Sequence, residues 1–159
     1  MRDLAEINLN DGGRPVTRPA PTSAEIAAVE DLIGRRLPSD YLAALAHSNG
    51  GHPELDTFPV TLGGVEQTWS LDTLFHLGPD VDSSDNVIGA YRRRPRDWPP
   101  EIVPIGDDGG GDLLALDLTD AGGGRVVLWV HDEAGAELAP VADSVESLID
   151  SLIVNPDYI

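Results

Sequence analysis

A chain of 159 residues, 41% of them hydrophobic, is long enough for one domain and too short for two comfortable cores. Its 28 acidic residues face 10 basic ones, all arginine, for a formal net charge of -18; that field repels phosphate backbones and anionic lipid, which argues against nucleic acid or membrane as direct ligand and for a basic protein partner. Cysteine is absent, which excludes disulfides, thiolate metal ligands and thiol nucleophiles, and no run reaches the ~18 apolar residues of a membrane span or forms a signal-peptide core, so a soluble, cytoplasmic protein is expected.

Residues 1–21 contain GGRPVTRPAP, where Gly12, Gly13, Pro15, Pro19 and Pro21 leave little scope for regular structure. The segment is expected to be a flexible arm or to lie on the surface, ahead of a single domain over residues 22–159. That domain opens with TSAEIAAVEDLIGRRLP: Thr22 and Glu25 have capping-box spacing, Ile26, Val29 and Ile33 share a helical face, and Gly34 is a stop. A second helix is expected in SDYLAALAHSNGG, starting near Ser39 or Asp40, with Tyr41, Leu42 and Leu45 turned inward and Asn49-Gly50-Gly51 ending it in left-handed geometry.

Short strand-like runs follow around Val60, Trp69 and Phe75, broken by Gly63-Gly64, and Val87, Ile88 and Tyr91 have the spacing of a short helix ended by Pro95. EIVPIG, LLALDL and RVVLWVH read as strands, the last two forming an antiparallel hairpin around Asp120 to Gly124. The chain closes on DSVESLIDSLIVNP, a helix capped by Asp143 or Ser144 with Val145, Leu148, Ile149, Leu152 and Ile153 as its apolar stripe and Pro156 as its stop. The expected fold is α+β: an N-terminal helical hairpin, a central antiparallel β-sheet and a C-terminal helix packed on the sheet.

The stretch VPIGDDGGGDLLALDL, residues 103–118, invites a ligand reading. Gly106 and Gly111 have the separation of a phosphate loop, but Asp112 stands where that motif needs lysine, and an aspartate repels phosphate. An EF-hand counted from Asp107 needs glycine at Asp112 and glutamate at Leu118; counted from Asp80 it meets Asp85 and Tyr91 at those places. A non-standard calcium site stays open, while the simpler reading is a turn: glycines supply positive φ and aspartates bond nearby N–H groups before the next strand starts. His47 and His52, with Glu54 and Asp56 close by, flank a glycine pair instead of sharing a helical face, so no metal site is assigned. No serine sits in a nucleophile elbow. The run YRRRPRDW holds four of the arginines beside two aromatics; in so acidic a chain it is expected to pair with local carboxylates or to cover apolar surface with its stems.

Several segments taken in order resemble the SUKH superfamily, the group that includes the yeast cell-wall-assembly regulator. Leu37-Pro38, Tyr41 and Asn49-Gly50-Gly51 match its opening, and Pro104, Gly106, Gly111, Asp112 and Asp117 match its central signature; the likeness runs over about residues 22 to 153. The resemblance implies no catalysis and no cofactor. It also implies a bacterial immunity protein that neutralises a cognate toxin, a nuclease or nucleic-acid deaminase whose basic cleft an acidic surface occludes. Glu54, Asp56, Asp80, Asp82, Asp85, Asp107 and Asp108 fall in expected connections and are the candidate partner-binding residues. Gly106, Gly111 and Asp112 are assigned to the turn itself. A monomer is assumed, a regulatory interaction scaffold is the alternative, and an enzyme or metal-dependent binder using the histidines is a third possibility.

Overall fold

The computed structural model describes residues 1–132 and 137–158. Its first α-helix, α1 (Ser23–Ile33), begins where the sequence places a reciprocal cap: the Thr22 hydroxyl accepts the Glu25 N–H at 3.1 Å and the Glu25 carboxylate accepts the Thr22 N–H at 2.9 Å. Gly34 ends it at φ 76°, and Val29 and Ile33 are buried. Thr22→Ala is expected to lower stability by about 1 kcal/mol in urea unfolding, the usual cost of losing such a cap.

The second helix, α2 (Ser39–His47), buries Tyr41 and Leu45 and leaves Leu42 half-buried. Its end itself is not left-handed: Ser48 leaves the helix extended, at φ -149°, and the expected positive φ comes only after it, at Gly50 (79°) and Gly51 (117°). The two glycines answer a different need. A Cβ on Gly50 would stand 2.8 Å from the Leu74 carbonyl, and one on Gly51 would stand 3.1 Å from that of Asn10, so neighbouring backbones pass where side chains would be.

Strands β3 (Thr57–Leu62) and β4 (Val65–Ser70) form a hairpin about Gly63-Gly64, whose φ values of 57° and 80° suit a tight primed turn. Then come β5 (Thr73–Leu74) and a short helix α3 (Val87–Arg92), capped by the Asn86 side chain accepting from Ile88 and Gly89 N–H. Strands β6 (Ile102–Asp107), β7 (Leu113–Asp117), β8 (Arg125–Trp129) and β9 (Ala139–Ala142) complete, with β5, an antiparallel sheet in the order β5-β6-β7-β8-β9. Alternation sorts its residues: Val103, Leu114, Leu116, Val126 and Leu128 face the main core, while Ile102, Ala115 and Val127 lie under Trp98 on the other side. Trp98 and Trp129 meet edge to face at 5.9 Å.

Helix α4 (Val145–Ser151) is capped by Ser144, buries Val145, Leu148 and Ile149, and contacts α2, β3, β8 and β9. The fold is thus α+β with antiparallel sheets and, among the described residues, four α-helices. Ile153 does not join the apolar stripe: it lies beyond the helix end, 49% exposed, bridged to Thr57. Strand β9, and a two-residue ribbon of β1 (Asn10–Asp11) with β2 (Arg14–Pro15), have no counterpart in the sequence reading.

The first 21 residues run partly over the surface and partly into it. Ile7, on a 3-10 turn over Leu4–Ile7, is 1% exposed in the main core. The Arg2 guanidinium donates to the carbonyls of Leu152 (2.7 Å) and Ile149 (3.3 Å) at the end of α4, where helix carbonyls lack intrahelical donors. Among the described residues no helix is long and apolar enough to cross a membrane.

Candidate functional site

Glycine and aspartate between β6 and β7 build a turn that satisfies itself. Asp107 accepts the Gly109 N–H at 3.2 Å, and one oxygen of Asp108 accepts those of Gly110 (2.9 Å) and Asp112 (3.1 Å). These are the N–H groups a phosphate loop would offer its ligand, and carboxylates of the same turn occupy them. Gly109 and Gly111 sit at φ 80° and 105°, and a Cβ on Gly111 would press on the His131 ring at 3.2 Å. Gly106 is required by a Thr73 carbonyl that passes 2.7 Å from where its Cβ would be.

The turn is clamped from both sides. Trp69 donates its indole N–H to Asp108 at 3.1 Å; Asp112, buried, accepts from the His131 backbone at 3.0 Å and from its ring Nδ1 at 2.6 Å. Asp117 does similar work at the end of β7, accepting from the Thr119 N–H and hydroxyl and from Arg125 Nε at 3.0 Å while only 4% exposed. Pro104 lies in β6 opposite Ala115, beside a register shift that ends at Gly106. All five signature residues therefore sit in strands or the turns joining them.

The candidate partner-binding carboxylates separate into groups. Asp107, the last residue of β6, lies close enough to Asp85 to interact by charge, Asp108 follows it in the turn, and the fold adds Asp72, whose N–H donates to the Asp107 carbonyl at 2.8 Å. Burial, then repulsion from Asp85, Asp72 and Asp108, pushes the half-buried Asp107 carboxyl up to about 6 despite the Gly109 bond. Asp72 was missed because nothing local marks it; the pairing of β5 with β6 brings it there.

Asp80 is exposed and belongs to another device: its oxygens take His76 Nε2 at 2.7 Å and Asn86 Nδ2 at 3.2 Å, and although burial acts upward, these bonds hold its carboxyl below the usual range. Asp82 is exposed on the same loop, Asp56 is occupied by the Thr57 hydroxyl at 2.9 Å, and Glu54 is exposed beside His47 and Asn8.

An open cleft of about 480 Å³ adjoins the carboxylate group, with Asp11, Arg18, His52, Asp72, His76 and Asp85 on its walls. Arg18 forms a two-pronged pair with Asp11 (3.0 and 3.1 Å), and His52 Nδ1 faces the Asp72 carbonyl. His47 opens on a different groove. Among the described residues no three His, Asp or Glu side chains are placed to hold a metal ion. Of the two roles expected for the arginine run, carboxylate pairing is not seen among the described residues, where it forms no ion pair: Arg94 stacks on the Tyr91 ring at 3.8 Å and bonds its carbonyl, and Arg93 bonds that of Ser83. Their cationic heads answer helix-end and loop carbonyls instead.

The hydrogen bond to Asp112 raises the His131 imidazole above its ordinary 6.5, the neighbouring Asp132 and Asp108 adding to it against desolvation. A raised histidine contributes stability that is complete below 6.5 and is lost as pH climbs through its folded value. Titration by NMR is expected to show that elevation, and Asp112→Asn to bring His131 back toward 6.5.

Compared with known families, residues 20–151 match the model of the SMI1 / KNR4 family (SUKH-1). No curated protein matches the chain.

Proposed function

The chain belongs to the SMI1 / KNR4 family (SUKH-1), and from that premise we propose that it is an immunity protein, which binds a cognate bacterial toxin and blocks it without turnover or cofactor. The toxin class is a nuclease or nucleic-acid deaminase with a basic cleft. The observation that supports this reading is the meeting of Asp72, Asp85, Asp107 and Asp108 at one end of the central sheet in a chain of net charge -18. Holding carboxylates together against their own repulsion costs folding stability, and a cationic partner relieves that repulsion on binding. Complementary potentials also speed encounter and reject anionic competitors.

The test is co-expression with nuclease and nucleic-acid deaminase toxin domains, beginning with any encoded in the adjacent reading frame. Cells are expected to survive, and the purified pair to associate with an affinity that falls as salt rises. Failure to rescue while soluble protein is present favours a regulatory scaffold, with several weak partners in place of one tight one.

A further inference from the structure

The β3–β4 hairpin has two outer edges, and they are treated differently. On β3, the Thr57 N–H and carbonyl turn away from β4 and bond Ile153 at 3.1 and 2.9 Å, and Pro59 has no N–H to offer on that side. Thr57 stands opposite Ser70, so Ser70 also directs its backbone away from the hairpin, and by the two-residue period so do Thr68 and Glu66. The bond from Leu71 N–H to the Asp56 carbonyl at 2.8 Å, one pair further on, fixes the same phase.

Among the described residues no backbone group bonds to this outer side of β4. The register with β3 runs unbroken from Thr57–Ser70 to Leu62–Val65, with no bulge, and VEQTWS contains neither proline nor lysine. Proline, lysine and a bulge are usual means by which an edge is kept from pairing, and none of the three is present here; the one charge on the strand is Glu66. Val65, Glu66, Gln67 and Thr68 are exposed, Val65 at 61%. The hairpin tip therefore stands clear of the core.

We infer that the open edge of β4, from Glu66 to Ser70, is the surface on which a protein partner docks by adding an extended, cationic strand. Charge selects that occupant. Glu66 lies on the strand, Asp108 holds the Trp69 indole at 3.1 Å at its far end, and Asp72 and Asp107 lie beside Asp108. A second copy of this chain brings another -18 to the same edge and is repelled. Backbone bonds supply affinity in this mode, and side chains of alternate residues supply choice: one face of the added strand meets Glu66 and Thr68, the other meets Val65, Gln67 and Trp69. The toxin of the proposed function is the partner that this assignment rests on.

Thr68→Pro is the informative variant. It deletes the central outward N–H while sparing the bonds to β3, because Thr68 already faces Pro59 across a pair that exchanges none. Thr68→Lys, which guards the edge without constraining the backbone, covers the case in which the proline variant fails to fold. Two probes are used with the full chain: the toxin domain taken from the co-expression test, and an eight-residue peptide of alternating arginine and valine. With the toxin domain, each variant is expected to bind roughly 10–100-fold more weakly than wild type, the loss of one or two backbone bonds and their neighbours. With the peptide, the amides of Glu66, Thr68 and Ser70 are expected to shift and gain exchange protection. Unchanged toxin affinity in both variants, or peptide-induced shifts confined to other elements, overturns the edge assignment and leaves the immunity reading standing. Peptide pairing on β4 with no toxin binding by wild type retains the edge and ends the immunity reading; neither probe binding ends both.

Discussion

Asn49→Ala is expected to lower the unfolding free energy by about 3 kcal/mol, since it orphans several buried backbone groups at roughly 1–3 kcal/mol each before relaxation. Asn49 is 2% exposed. Its amide donates to the carbonyls of Leu77 (2.6 Å) and Pro19 (2.9 Å), and its oxygen accepts the Leu77 N–H at 2.9 Å. One side chain thus ties the N-terminal segment, the exit from α2 and the strand-to-helix loop at a single point. Alanine removes all three bonds. Urea unfolding at neutral pH measures the loss; a change under about 1 kcal/mol means those carbonyls find water instead. The end of α2 is expected to stay intact, because the Ser48 N–H still bonds the Ala44 carbonyl.

Asp107→Asn is expected to act in the opposite direction, stabilising the free protein by about 1–2 kcal/mol at pH 7.5 and weakening the partner complex. The carboxyl rises from 3.8 to about 6 in the fold. A raised carboxyl favours its protonated form in the folded state, so wild type gains stability as pH falls through about 6 and has gained all of it below about 3.8. At pH 7.5 the ionised group therefore costs stability, discounted here because Asp107 is only half-buried and solvent screens it. Asparagine keeps an oxygen for the Gly109 N–H and drops the charge. The advantage of the variant should be present at pH 7.5 and vanish near pH 4. A flat difference across that range would mean that the Asp107 carboxyl is not raised in the folded state.

The association prediction follows from the same charge. Removing one of four clustered carboxylates should slow encounter with a cationic partner several-fold at low salt and little at high salt. Greater stability together with weaker binding is the pattern expected of a surface kept for function at the expense of the fold.

Local signals were sufficient wherever the physics is local. The Thr22–Glu25 cap, the Gly34 stop and the Gly63-Gly64 turn depend on atoms a few residues apart, and each occurs where its spacing placed it. The central stretch was also legible as a turn, because aspartates that bond the next N–H groups need no distant partner. Asn49-Gly50-Gly51 shows the limit. The same three residues that suit a helix end locally are used for a buried tie and two close backbone crossings, set by segments more than 20 residues away.

Composition and short-range pattern by themselves determined the α+β class, the four helices, most strands, the acidity and the family resemblance, since propensity, capping and alternation are written in neighbouring residues. Only the tertiary structure decided that Ile7 belongs to the core and that Asp72 joins Asp85, Asp107 and Asp108 while Glu54 and Asp80 do not. It alone showed that the outer side of β4 stands open while that of β3 is closed by Ile153. Burial, like-charge proximity and an unpaired strand edge are properties of chain segments brought together across long loops, and strand register, which sets all three, has no signature in the residues of either strand taken alone.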